Sequence, residues 1–482
     1  MRHQHIVFLL LTVIGFLLNP SGAASCDGPS RADMSTGGES DRQRYQNSIA
    51  LHTKLLCSAV FVSGRQPLEV IRNDLQWSEY YFHDWSTTQW SIDQESQRVS
   101  LWTEGGPPYT AVFNPSLGCS LLPLGADQLA FEPISVASQL PPAHTLAWPN
   151  GDLNAHGETG DQDGLIAMLD FAFDHGDEHP VQNTRGIVVL HQGKIVAERY
   201  AEGYTQDSPM IGWSMGKSIS AALMGILVHQ TGFDIDAPAP IPEWRGPDDP
   251  RGAITPKHLL HMAGGLAFRN PGADEKLYYT DLHDHESVYF RGQNTEHFVL
   301  NQSLAYEPGS VFEYRNTNTL ALMSILKNAD IPGKDHHLSW PRTELFDRIG
   351  ARSFVLEPDA FGNFVITGND YATARDWARL GLLFLQDGQW GDERLWPDGW
   401  LRTISQPSPA QEYYGGQVWL NTKRGYYPNA PADAVMFVGW LNQVVVIIPS
   451  RDIVIVRLGF SDRGGFYHYF DELIRQTLAA LD

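Results

Sequence analysis

The feature that most constrains this chain is a pair of apolar hairpins standing at the two ends of a long, mostly helical stretch. Residues 186–190 form a β-branched run, His191-Gln192-Gly193-Lys194 is turn-forming, and residues 195–200 return. Near the other end, residues 444–448, the turn Pro449-Ser450-Arg451-Asp452 and residues 453–458 repeat the pattern more strongly. A helix over residues 164–173 precedes the first hairpin. A second helix over residues 470–481, apolar at Leu473, Ile474 and Leu478, follows the last one. Between the hairpins, residues 255–400 read as helices and loops. This order predicts an α+β architecture, in which an antiparallel sheet is flanked by the terminal helices and carries an all-helical insert.

The N-terminal part reads differently. Residues 1–25 have the form of an export signal: Arg2 gives a basic start, residues 6–18 a short apolar run, and Ser21, Gly22, Ala23 and Ala24 a small-residue cleavage region. The run is too short to span a bilayer comfortably, and no later segment is longer and as apolar. Export to the periplasm or the exterior is therefore expected, with no stable membrane span. Cys26 follows the cleavage region. Ala23 stands where a lipidation signal carries a larger apolar residue, so a lipoprotein is not favoured. Residues 26–50 are polar and read as a flexible lead-in. Short strands are expected at residues 59–62, 99–102 and 109–113, separated by turns such as Glu104-Gly105-Gly106-Pro107-Pro108. Cys57 and Cys119 either pair in an oxidising compartment or lie buried as free thiols. With residues 137–164 as a linker, the division is a signal at 1–25, a small β-rich region at 26–147 and a main domain at 148–482.

A chain of 482 residues with 42% hydrophobic side chains can bury a sizeable core. Its formal charge of −22 repels phosphate backbones, so nucleic acid is excluded as a partner. His283 and His285 flank Asp284, and His336 adjoins His337. Scattered loop histidines of this kind are ordinarily solvated, so no metal and no cofactor is expected. The sequence leaves the oligomeric state open.

The chemistry concentrates at Ser214-Met215-Gly216-Lys217, where a loop runs into a helix with apolar positions at Ile219, Leu223, Ile226 and Leu227, and with Gly232 as its stop. Serine and lysine three apart share one helix face, so an amine stands beside a hydroxyl that needs a base to become a nucleophile. A second such pair, Ser324 and Lys327, lies inside an apolar helical run. A mid-helix N–H is already bonded, whereas a first-turn N–H is a donor left over, favoured by the helix dipole, and so position selects Ser214. Of three Tyr-x-Asn triplets, Tyr314-Arg315-Asn316 follows the turn Glu307-Pro308-Gly309-Ser310 and precedes a helix. Those at Tyr45 and Tyr427 sit in the lead-in and beside a proline. Gly212-Trp213-Ser214-Met215-Gly216 also matches a nucleophile elbow. The preceding residues 204–209 are polar and contain a proline, unlike the strand an elbow needs, and its late histidine would have to be His468.

Ser214-x-x-Lys217, Tyr314-x-Asn316 and the late strand around Gly439 together resemble the serine β-lactamase and penicillin-binding-protein superfamily. The likeness is strongest to its class C-like branch of esterases, D-aminopeptidases and 6-aminohexanoate-dimer hydrolases. Residues 259–266 (Leu-Leu-His-Met-Ala-Gly-Gly-Leu), Pro308-Gly309, residues 371–376, residues 380–383 and Trp148-Pro149 extend it over most of residues 148–482, and more weakly over 55–120. The resemblance implies a β-lactamase-like fold with Ser214 as nucleophile and Lys217 and Tyr314 as its proton network. It further implies that Asn316 holds the substrate and that an oxyanion site forms between the N–H groups of Ser214 and of Trp440 on the Gly439 strand.

One departure matters. The family's third motif often carries a cation two residues before its glycine, but here the triplet is Phe437-Val438-Gly439. The family's carboxylate-bearing β-lactams dock on that cation. The expected substrate is therefore a small linear amide or ester, with Asn442 and Gln443 offering neutral hydrogen bonds in its place. A carboxylesterase, a D-aminopeptidase or β-lactamase-type activity, or a non-catalytic sensor or scaffold are the alternatives.

Overall fold

The computed structural model describes residues 39–75, 85–157, 161–173, 182–268, 284–461 and 466–482. The export signal at residues 1–25, Cys26 and His283 lie outside them.

The N-terminal region is a helix, Glu39–Phe61, laid against a four-stranded antiparallel sheet of β1 (Thr88–Asp93), β2 (Arg98–Thr103), β3 (Tyr109–Asn114) and β4 (Gly118–Leu121). The strands expected at residues 99–102 and 109–113 are β2 and β3. The strand expected at 59–62 is instead the end of the helix, and that helix also takes up much of the expected flexible lead-in. The physical reason is tertiary. Leu51, Leu56 and Ala59 are buried, but so are Ser48, His52, Thr53, Lys54 and Ser58. Polar groups on the buried side erase the one-sided apolar stripe by which a helix is recognised. Cys57 of the helix and Cys119 of β4 form a disulfide.

The main sheet has six antiparallel strands. It begins with the hairpin β5 (Thr184–His191) and β6 (Lys194–Tyr200). A smaller sheet follows from β7 (Met210–Ile211), β8 (Val355–Leu356) and β9 (Asp370–Ala372), with β9 central. After a short hairpin of β10 (Gln389–Trp390) and β11 (Glu393–Arg394) come β12 (Trp419–Leu420), β13 (Val435–Gly439), β14 (Gln443–Ile448) and β15 (Ile453–Gly459). These complete the main sheet in the order β12-β13-β14-β15-β5-β6. The C-terminal hairpin thus pairs β15 with β5 and joins the two ends of the domain.

Both faces of this sheet are covered, which is why its strands read as continuous apolar runs. Ile187, Val189, Val444, Val446 and Ile455 pack in the cluster that includes the helices Gln162–Phe173 and Phe466–Leu481. Their neighbours Val188, Leu190, Val445, Val454 and Val456 face the opposite cluster, with the helices Gly216–Thr231 and Ala374–Leu385. Between β7 and β8 lies the helical insert: Pro256–Leu260, Asp284–Phe290, Thr295–Leu300 and Asn316–Asn328.

A buried carboxylate helps to dock the N-terminal region, beside the Asp74–Arg185 ion pair. Glu357, directly after β8, takes hydrogen bonds from Ser58 Oγ (2.8 Å), from the Cys119 N–H (2.7 Å) and from Lys54 Nζ. Lys54 and Glu357 are both essentially without solvent exposure. Among the described residues, no helix is long and apolar enough to cross a membrane.

Candidate active site

The chain leaves β7, passes Gly212 and makes a tight 3-10 turn over Trp213–Met215. It then enters the helix Gly216–Thr231, which Gly232 ends at a φ of 70°. Ser214 is half-buried at that entry, and Lys217 is buried one turn below it. Lys217 Nζ lies 3.0 Å from Ser214 Oγ and donates to the Thr367 carbonyl at 3.2 Å. Burial disfavours its ammonium form and brings it down to about 7, against a smaller opposing pull from the charge of Asp370. A free amine is therefore present at neutral pH beside the hydroxyl.

Tyr314 sits in the extended segment before the helix Asn316–Asn328. Its phenol is hydrogen-bonded with Ser214, and the Lys217 Nζ stands 4.8 Å from its ring centroid. Trp419 and Tyr414 flank the ring at 5.4 and 5.7 Å. Burial raises the phenol above its ordinary range, outweighing the hydrogen bonds from Ser214 and Trp419, so it stays protonated at neutral pH. The site thus divides its labour by environment: the amine is the base available, and the phenol is a donor.

Asn316 is buried, and its Nδ2 donates to the Tyr289 hydroxyl at 3.0 Å. Tyr289 in turn donates to Thr367 Oγ1 at 2.7 Å. The Thr367 carbonyl that receives Lys217 is fixed by this chain.

Gly439 ends β13 against the Ser214 loop. A Cβ there would come 2.1 Å from the Gly212 carbonyl oxygen, so no side chain fits. The Trp440 ring meets the Trp213 ring edge-on at 4.9 Å. The structure therefore brings Ser214, Lys217 and Tyr314 together at one point, and sets Gly439 and Trp440 alongside. Phe437 is fully buried against Phe384, with centroids 4.8 Å apart, and supplies no charge. The expectation for Asn442 and Gln443 is corrected. Asn442 Nδ2 donates to the Ser461 carbonyl at 2.8 Å. Gln443 is buried and its amide pairs with the backbone of Gly459, accepting from the N–H at 2.9 Å. These amides satisfy strand-end backbone groups that would otherwise be buried without partners.

The competing motifs have other occupations. Ser324 Oγ and Lys327 Nζ both bind the Glu296 carboxylate, at 2.7 and 2.6 Å, so this lysine is a paired cation. Tyr427 is buried in the core cluster of the terminal helices, and His468 is exposed on the last helix. His336 and His337 stack on one another, with His337 Nε2 2.9 Å from the Gly362 carbonyl oxygen. Among the described residues, no three His, Cys, Asp or Glu side chains gather as a metal site would require.

Sequence reasoning missed Thr367, Tyr289, Trp419 and Asp370. No spacing relates them to Ser214; they arrive from three separate segments. Asp370 alone had a signal nearby, directly before the segment over residues 371–376.

An antiparallel sheet with helices on both faces, and a serine, an amine and a phenol converging at a helix entry, are the arrangement of a serine hydrolase fold. Comparison with known proteins agrees. The β-lactamase family model matches residues 177–477, and the chain belongs to that family of serine hydrolases. Three solved structures share the fold. A candidate 6-aminohexanoate-dimer hydrolase from Bacillus anthracis is 22% identical with a TM-score of 0.50, over 62% of this chain and 79% of its own. A candidate β-lactamase from Bacteroides dorei is 17% identical with a TM-score of 0.51, over 67% and 98%. A family VIII carboxylesterase is 14% identical with a TM-score of 0.50, over 68% and 99%. No curated protein matches the chain.

Proposed function

We propose that this protein is an exported hydrolase that cleaves an amide or ester bond in a small linear substrate through an acyl-enzyme on Ser214. The observation that carries the reading is the buried Lys217 amine, poised near neutrality 3.0 Å from the Ser214 hydroxyl to which Tyr314 is also bonded. Lys217 takes the Oγ proton as Oγ bonds to the substrate carbonyl carbon. The carbonyl oxygen becomes an oxyanion, held by the N–H groups of Ser214 and Trp440. Its collapse breaks the C–N or C–O bond. The proton on Lys217 passes through the Tyr314 phenol to the leaving atom. Water then adds to the acyl ester and gives its proton to Lys217. Breakage of that ester returns a proton to Oγ and frees the acid. Asn316 holds the substrate beside this network.

A linear amide is the first choice. The Bacillus anthracis protein that shares this fold is a candidate dimer hydrolase of that kind, and buried Phe437 offers no cation to dock a β-lactam carboxylate. Ester cleavage is the second reading, supported by the carboxylesterase of the same fold. The Cys57–Cys119 disulfide supports an oxidising compartment and so export.

The test compares the wild type with Ser214→Ala on p-nitroanilides, p-nitrophenyl esters and nitrocefin, and on a fluorophosphonate probe. Loss of at least about 10³-fold and of labelling is expected. Retained turnover would sink the mechanism, nitrocefin as the dominant substrate would sink the substrate class, and no labelling of the wild type would favour a non-catalytic sensor.

A further inference from the structure

The pattern Gly212-Trp213-Ser214-Met215-Gly216 has a cause that the hydrolase reading does not use. A Cβ on Gly212 would lie 2.1 Å from Asp370 Oδ2, and one on Gly216 would lie 2.5 Å from Asp370 Oδ1 and 2.1 Å from the Ile366 carbonyl oxygen. The two glycines on either side of Ser214 are the two places where the loop closes over one carboxyl group. Asp370 is completely buried. Neither of its oxygens has a hydrogen-bond partner among the described residues. Its backbone carbonyl takes the Gly212 N–H at 2.8 Å, so the loop is also tied to this residue through the main chain.

An aspartate so placed is not there for stability. Asparagine or a small apolar residue would fill the space without an unpaired acid. The charges around it are few. Lys217 approaches from the helix Gly216–Thr231 and Glu357 from the end of β8, the latter already paired with Lys54. Lys217 for its part faces Ser214 and the Tyr314 ring as well as Asp370, with Tyr289 beyond Thr367. We propose that Asp370 is a positioning residue for this site, acting through Lys217: the carboxyl beneath the nucleophile's loop governs how readily Lys217 holds its proton. The inference rests on the function proposed above. Burial keeps the Asp370 carboxyl protonated well above the usual carboxylate range, and the Lys217 ammonium pulls the other way. The two groups therefore titrate as a pair. A carboxyl that can ionise stabilises the ammonium form of Lys217, and an amide in its place cannot.

The experiment follows the rate of Ser214 labelling by a fluorophosphonate probe from about pH 5 to 9, in the wild type, Asp370→Asn and Asp370→Ser. In each the rate rises as Lys217 loses its proton. Asparagine preserves the packing against Gly212 and Gly216, and serine relaxes it, but both remove the ionisable group. Both variants are expected to reach half-maximal rate at lower pH than the wild type. A midpoint that stays put, or moves to higher pH, would overturn the inference while leaving the hydrolase reading intact. Failure of both variants to fold would assign Asp370 to the fold and overturn it equally. A wild type that is never labelled would remove the function first, and this inference with it.

Discussion

Lys217→Met isolates what burying an amine does to this fold. The side chain is nearly isosteric and apolar, and it removes an amine whose neutral form burial favours. In the unfolded chain a lysine holds its proton up to about 10.4; in the folded protein Lys217 is brought down to about 7. Between those values the unfolded chain binds the extra proton, so wild-type stability rises with pH across that window. The deficit due to Lys217 is complete below the folded value and gone above the unfolded one. It amounts to about 4 kcal/mol at pH 7 and about 1 kcal/mol at pH 10. Methionine also forfeits the hydrogen bond to the Thr367 carbonyl, worth about 1 kcal/mol. Removing the lysine also removes the ammonium that pulls the Asp370 carboxyl down, so burial raises that carboxyl further. The variant is thus expected to be more stable than the wild type by about 3 kcal/mol at pH 7, with almost no difference at pH 10. Denaturant unfolding of both proteins at the two pH values measures this. A variant that is less stable at pH 7, or a difference that does not change with pH, would refute the reasoning.

Tyr314→Phe removes a donor that burial keeps protonated. Turnover of anilides should fall by about 10²–10³-fold, and that of p-nitrophenyl esters far less, because a nitrophenolate leaves without a proton; equal losses on the two substrate sets would remove Tyr314 from the leaving-group step. Glu357→Gln strips the counter-charge from Lys54 inside the docking contact of the N-terminal region. It should destabilise the fold by about 3–5 kcal/mol in thermal or chemical unfolding, and an unchanged transition would show that the pair contributes nothing there.

What the sequence made legible, and what it hid, divides along a physical line. The hairpins β5–β6 and β14–β15 could be read because strands covered on both faces become unbroken β-branched runs, a signal carried by adjacent residues. Ser214 could be preferred to Ser324 for an equally local reason, since a first-turn serine and a mid-helix serine differ within a few residues of text. The helix Glu39–Phe61 could not be read in full. Lys54 and Ser58 are buried because Glu357, three hundred residues on, needs donors, and that need interrupts the apolar face. Asn442 and Gln443 misled for a similar reason. An amide looks equally available whether it will meet a ligand or the backbone of Gly459. The acid beneath the Ser214 loop showed only indirectly, through its place directly before residues 371–376 and through two glycines that read as a different motif. A Cβ at 212 or 216 collides with a carboxyl from β9, and nothing in the chain between them announces the collision. Glycines that bracket a serine in this way without adopting a left-handed backbone are therefore better read as the imprint of a buried neighbour than as an elbow. Gly212, at a φ of −90°, is such a case.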